Sequence, residues 1–431
     1  MKLGEIDISQ IEFDIRSRDE IPKLLMGLQH IWCIPELRQK VFTVLDKLVP
    51  EGENPNTGRP GMELWKILAL GTLRLNCNWD YDKVMEMANE HKTLRQMMGH
   101  AIFDNDYKYK LQTIRDNIAL LTPEVLDEIN RFVVNAGHNL VKKNSEANLN
   151  GRCDSFVVET NVHYPTDINL LLDAIRKVIQ SMAQVCFTYA AYVEVVESFV
   201  FRAKDTVLQL SQQGCSAVIT LLVIDGYIQH AERQIDQVRR RVLNDEVIPH
   251  DEKVFSIFEQ HTEWICKGKA GVPQGLGLKV CVLEDQYGFL LHHRVMEKQS
   301  DEQVAFAMVI ESKKRFADLG SCSFYSPANR QKLADVLDKV VLPKKGKLSL
   351  KEKEIECSEE FIQARHHHSA IESAINAVEN HGLDRCLDKG IDGFKRYVAL
   401  AIVARNLQML GHIIQQKKLE RLKKRRLALA A

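Results

Sequence analysis

The chain has 431 residues, 58 Lys plus Arg against 58 Asp plus Glu, and 45% apolar residues. That composition excludes collagen-like, low-complexity and largely disordered chains, and the length allows two or three domains, each able to bury a core. Zero net charge argues against a uniformly basic nucleic-acid coat, but it conceals an asymmetry. Residues 417–431 carry seven basic side chains and one acid, Glu420, which leaves 51 basic and 57 acidic residues elsewhere.

The ten cysteines stand singly, with no Cys-x-x-Cys pair, so neither a zinc ribbon nor a thioredoxin-like site is supported. No signal-type apolar run opens the chain, and the longest apolar stretches, such as 217–224, are too short to span a bilayer. The sequence predicts a cytoplasmic protein of a reducing compartment.

In chain order, Ile21, Leu24, Leu25, Leu28 and Ile31 share one helical face. A turn-rich stretch, 50–61, is followed by predicted helices at 63–75, 81–89, 92–98 and 105–141. The last of these breaks at Leu121-Thr122-Pro123-Glu124, where Thr122 suits an N-cap and Pro123 the first helical turn. A strand is predicted at 152–162, and a long helical section at about 168–258. A Gly-containing loop at 268–277 leads into a hairpin, 278–283 and 289–296. A helix at 301–316, a strand at 321–324, a helix at 329–338, a strand at 339–342 and helices at 359–379 and 394–415 complete the chain. An acid-bearing strand, a hairpin, a helix, a strand, a helix, a strand and an acid-bearing helix follow the order of an RNase H-like domain.

Two blocks carry chemistry. The first is Asp154-Ser155-Phe156-Val157-Val158-Glu159-Thr160-Asn161-Val162-His163-Tyr164-Pro165-Thr166-Asp167. The second is His368-Ser369-Ala370-Ile371-Glu372-Ser373-Ala374-Ile375-Asn376, followed by His381-Gly382-Leu383-Asp384-Arg385-Cys386 and Gly393-Phe394-Lys395-Arg396-Tyr397. Together with Val341-Leu342-Pro343-Lys344-Lys345-Gly346-Lys347 and Lys267-Gly268-Lys269-Ala270-Gly271, they closely resemble the DDE transposases of bacterial insertion sequences, in the orphan group called ISNCY. The resemblance covers most of the chain, including a similar helical region at 58–99.

The resemblance implies an α/β (α+β) RNase H-like catalytic domain at 148–416, with a helical insertion at about 168–262. An all-helical DNA-binding region, 1–147, precedes it, and a basic tail, 417–431, follows. The implied activity is metal-dependent cleavage and strand transfer at element ends. In that chemistry two Mg²⁺ (or Mn²⁺) ions roughly 3.5–4 Å apart activate the attacking oxygen and stabilise the leaving one. Such hard cations require oxygen ligands, hence carboxylates. By resemblance Asp154 is the first catalytic, metal-binding acid and Glu372 the last. The second is absent: the family brings an Asp, a Gly and an aromatic before Ser-Pro-Ala-Asn, whereas here Phe324 runs directly into Tyr325-Ser326-Pro327-Ala328-Asn329. Asp318, Asp335 and Asp285 stand nearby in sequence but out of position. The expectation is a degenerate transposase, or a DNA-binding protein or repressor of the same descent without catalysis.

The implied partner is double-stranded DNA, bound by a homo-oligomer. Arg365 resembles an Arg the family places beside the site, and a solvated helix Arg is an equal reading. Lys344, Lys345 and Lys347 either bind phosphate or solvate a loop. Arg74, Lys83, Lys92 and Arg95 lie in the helix-turn-helix-sized segment 63–98 and are candidate DNA contacts, the alternative being a bundle that only packs on the catalytic domain. Adjacent histidines in the run 366–368 point about 100° apart on a helix. His292 and His293 alternate across a strand, so neither group is expected to converge on one ion. Trp79 and Trp264 read as core. The basic tail reads as a DNA contact or, from Leu419, Leu422 and Leu427, as an amphipathic helix.

Overall fold

The computed structural model describes residues 7–49, 62–101, 107–141, 148–185, 218–267, 274–323 and 370–430, with short pieces between 333 and 362. They divide into two compact units, Met1–Glu159 with Leu278–Ala431, and Thr160–Gly277. The expected insertion at about 168–262 falls within the second.

Most helices of the first unit form where the apolar spacing predicts them, while α2 was not predicted and α6 begins later than the expected 105. They are α1 (Glu20–Cys33), α2 (Pro35–Leu45), α3 (Leu64–Asn76), α4 (Tyr81–Glu90), α5 (Lys92–Met97), α6 (Leu111–Ile118) and α7 (Pro123–Val141). In α1, Ile21, Leu24, Leu25, Leu28 and Ile31 are all buried, and the Asp19 carboxylate caps the first turn by accepting from the Ile21 N–H at 3.2 Å. The Thr122 hydroxyl accepts from the Val125 N–H at 3.3 Å and so opens α7.

Four strands build the sheet of this unit: β1 (Leu149–Thr160), then β3 (Gln274–Glu284), β4 (Leu290–Met296) and β5 (Leu319–Ser323). Short β6 (Lys339–Val341) and β7 (Arg385–Cys386) complete it, while β2 (Glu263–Cys266) belongs to the second unit. The strand order is β4-β3-β1-β5-β6, with β7 beside β1. β1, β5 and β6 are parallel, and β3 and β4 are antiparallel. Arg152 meets Glu284 and Cys153 meets Cys281, so β3 runs against β1.

Alternation divides the side chains of the central strands between two cores. Phe156 and Val158 of β1 and Leu278, Val280 and Val282 of β3 join the core that holds the N-terminal helices. Leu149, Cys153, Cys281 and Leu283 join the other, under α10 (Asp301–Arg315). The last two described helices, α11 (Ala370–Val378) and α12 (Gly390–Ala430), lie on the first side and share its core.

Where the sequence places a domain boundary at 147/148, the structure runs one core across it. Leu24, Leu28, Leu68 and Ile129 of the N-terminal helices pack in the same cluster as Leu400, Ile402 and Leu407 of α12. The contact between α1 and α12 is backbone-close. A methyl group built on Gly411 would fall on the Lys23 carbonyl oxygen, and one on Gly27 on that of Leu407. Buried Asn406 ties α12 to the sheet: its Oδ1 accepts from the Leu290 N–H at 2.9 Å, and its Nδ2 donates to the Leu290 carbonyl at 2.8 Å and to Asn130 at 2.7 Å.

α12 exceeds the expected 394–415. Among the described residues it is also a helix long and apolar enough to cross a membrane, contrary to the reading that every apolar stretch is too short. Of its apolar window 72% is buried in the structure, as in a core helix of a globular unit.

In the second unit, α8 (Asp167–Val185) and α9 (Val218–Leu243) pack through Leu170, Ala174 and Val178 against Ile224, Ile228 and Ala231. The three- and four-residue spacings give each helix one apolar stripe. The helical prediction extended to 258, but α9 ends at Leu243, and β2 then pairs antiparallel with residues 274–277 of β3. Pro249, with no N–H to give a helix, lies in the segment after α9.

Candidate metal and DNA-binding site

Asp154 lies midway along β1, half-buried, with the parity of Phe156 and Val158, so it belongs to the sheet face that carries the first core. Its Oδ1 accepts from the Ser155 N–H at 2.7 Å. α11 inserts Ile371, Ala374, Ile375 and Val378 into that same core. Glu372, about 100° round the helix from Ile371, is left exposed. Asp154 thus stands on the sheet face that carries the first core, and Glu372 on the outer side of a helix whose apolar face shares that core.

β5 runs parallel to β1, and its last residue, Ser323, stands opposite Arg152, two residues before Asp154 in β1. Residues 324–332 lie outside the described residues, as do Asp335, Arg365, Lys344, Lys345, Lys347 and His366 to His368. Asp318 is at the far end of β5, where its carbonyl accepts from the Leu149 N–H at 2.7 Å. Five strand residues, about 16 Å, separate that position from Asp154. Asp285 is fully buried and committed to the hairpin turn. Its Oδ1 accepts from the N–H groups of Tyr287 and Phe289, and its Oδ2 meets His138 Nε2 at 2.5 Å. Neither supplies the second acid.

Two of the candidate DNA contacts are structural instead. Arg74 is 2% exposed. Its Nη1 donates to Asp388 at 2.9 Å and to the Tyr81 hydroxyl at 3.2 Å, and its guanidinium stacks on the Tyr81 ring at 3.9 Å. Arg396 donates to the other oxygen of Asp388 at 3.0 Å. Arg95 is buried, and its Nη1 lies 3.3–3.4 Å from the carbonyls of Ala88, Asn89 and Tyr107. The buried partners that Asp388 and these carbonyls provide hold both guanidiniums inside. Lys83 and Lys92 are exposed, Lys83 pairing with Glu86 at 3.0 Å.

His292 and His293 do converge, contrary to the strand-alternation expectation. Their ring nitrogens and a carboxylate oxygen of Asp127 from α7 all lie within 4.8 Å of one another. Alternation fixes the directions of the Cβ atoms, not where the far ends of two imidazoles finish. A cation already serves this cluster: Arg315 Nη1 lies 2.5 Å from both Asp127 Oδ1 and His292 Nδ1. It is an ion-pair network joining α7, β4 and α10. Burial holds the His293 imidazole down at about 4, and its Nδ1 has no hydrogen-bond partner among the described residues. On β3, burial pushes the Glu284 carboxyl up to about 7 despite Arg152 at 3.1 Å.

Comparison of the chain with protein-family models, with curated proteins and with solved structures finds no match.

Proposed function

We propose that the chain is a transposase of bacterial insertion-sequence descent that binds double-stranded DNA at element ends and has lost efficient cleavage together with its second catalytic Asp. The observation that carries this reading is the sheet order β4-β3-β1-β5-β6, with Asp154 on its central strand β1 and with α11, bearing Glu372, sharing the core that one sheet face builds. An RNase H-like domain has that arrangement of a parallel half and an antiparallel half, and it supports the resemblance carried by the two sequence blocks.

Carboxylates on a rigid strand and a packed helix suit a hard cation such as Mg²⁺ or Mn²⁺. When bound, the ions would supply Lewis-acid activation of a phosphodiester and of the attacking oxygen. Asp154 and Glu372 are two ligands where a two-ion site uses three acids, so the set fits one loosely held ion better than a pair. The protein's own contribution is then to grip DNA. Lys83 and Lys92 remain available for phosphate contact, joined in this proposal by Arg365, Lys344, Lys345 and Lys347. A homo-oligomer on DNA in the bacterial cytoplasm completes it. Loss of the acid equally favours a non-catalytic repressor of the same descent occupying the element's ends.

A mobility-shift titration with duplexes carrying the sequences that flank its gene, with and without Mg²⁺, tests the reading. Salt-sensitive binding that prefers those ends over unrelated duplex is expected. Absence of DNA binding at low salt would overturn it.

A further inference from the structure

α12 continues as one helix well beyond the core. Gln415 is its last buried residue, and from 416 to 428 every side chain is exposed except half-buried Leu419. A helix with no packed face is poorly stabilised by itself, which calls for a partner or a charge function. The segment holds Lys417, Lys418, Arg421, Lys423, Lys424, Arg425 and Arg426 against the single acid Glu420. Lys417 is already engaged, its Nζ donating to the Leu140 carbonyl near the C-terminus of α7 at 2.5 Å. At 100° per residue, Lys418, Arg421, Lys424 and Arg425 fall within about 120° of arc and about 10 Å of helix length. Glu420 lies at the edge of this stripe, one turn before Lys424.

We infer that this stripe of four cations on the projecting end of α12 is a DNA phosphate-binding surface, rigidly coupled to the sheet through the same helix. The inference rests on the DNA-binding reading above and adds a site to it. Duplex DNA presents one negative charge per ≈ 1.7 Å of axis, so roughly six phosphates lie along the stripe's length, enough to meet four cations. Buried Asn406 and backbone-close Gly411 fix the helix in the core, so the stripe is carried at a set orientation. An anionic lipid surface fits less well. Between 416 and 428 the large apolar side chains are Leu419, Leu422 and Leu427, spread over about 140° and without an aromatic anchor.

The test uses the full chain and the quadruple variant K418Q/R421Q/K424Q/R425Q. Fluorescence anisotropy with a 30-bp duplex across a salt series (a length of about 30 bp gives room for several contacts) reads the slope of log affinity against log salt. Four released counterions make the wild-type slope steeper than the variant's by about 3.6, at about 0.9 per phosphate. Thermal unfolding of the variant is expected to match the wild type, since all four side chains are exposed. A wild type that binds with the same slope as the variant overturns this inference and leaves the DNA-binding reading standing. A wild type that binds no DNA overturns both. Binding to phosphatidylserine vesicles that the variant loses, with an unchanged DNA slope, assigns the stripe to lipid and overturns it also.

Discussion

His293 and Glu284 lie on neighbouring strands and have opposite effects on stability as pH changes. The folded protein holds His293 at about 4, below the ordinary 6.5, so the unfolded chain takes up the proton first as pH falls. Its contribution is therefore complete above pH 6.5 and is lost as pH drops toward 4, by up to about 1.4 kcal/mol per pH unit. Glu284 is held at about 7, above the ordinary 4.5, so its contribution is complete below pH 4.5 and is lost as pH rises through 7. Between pH 4.5 and 6.5 the two oppose each other. Thermal unfolding midpoints followed across that window are expected to fall with rising pH more in His293→Gln than in the wild type. In Glu284→Gln they are expected to rise more. Identical slopes in all three proteins would contradict the assignment. Arg74 shows what a residue in isolation hides. On a helix in a DNA-binding segment it reads as a phosphate contact, yet its partner Asp388 lies 314 residues away in the chain. Nothing local to Arg74 records that partner.

At the scale of elements, most helices of the N-terminal region were legible because each carries an apolar stripe and several carry a cap. Asp19 before α1 and Thr122 before α7 are side-chain caps whose signature is local. The hairpin β3–β4 and strand β1 were legible for the same reason, through β-branched alternation. β2 and the full reach of α12 were not. β2 is four residues long and owes its extended form to β3 beside it, while the tail of α12 scatters its few leucines among basic residues, so its period is weak and allows the looser reading as a charged run. The glycines of the helix contacts yield a paired prediction. Ala is favoured over Gly within a helix by about 1 kcal/mol. Gly226 in α9 has open space around its Cα, so Gly226→Ala is expected to raise the unfolding temperature. At Gly411 the added methyl meets the backbone of α1, which cannot rotate away, and overpacking of about 1–3 kcal/mol outweighs the propensity gain. Gly411→Ala is expected to lower it. Differential scanning calorimetry of both variants gives the two signs, and stabilisation by Gly411→Ala would show that α1 and α12 do not meet as closely as drawn.

For the molecule as a whole, the order of β1, β3, β4, α10, β5 and β6 was readable, while the helix expected at 329–338 falls almost wholly outside the described residues. The merging of the N-terminal helices with the sheet was not readable. Joining them needs α12 to reach across the unit, and long-range packing of two apolar stripes leaves no mark that distinguishes it from two separate cores. The Asp that the resemblance calls for after Phe324 is missing from the sequence, and the described carboxylates Asp285 and Asp318 are occupied or distant. The central claim is thus the proposal of a DNA-binding protein with two of the three acids that a DDE transposase uses for cleavage. The most direct measurement incubates the purified full chain, beside Asp154→Ala, with labelled duplexes carrying the ends that flank its gene, in Mg²⁺ and in Mn²⁺. The account predicts bound DNA that stays intact, with no more strand cleavage than Asp154→Ala gives in Mg²⁺. Robust Mg²⁺-dependent cleavage at the ends, abolished by Asp154→Ala, would contradict it.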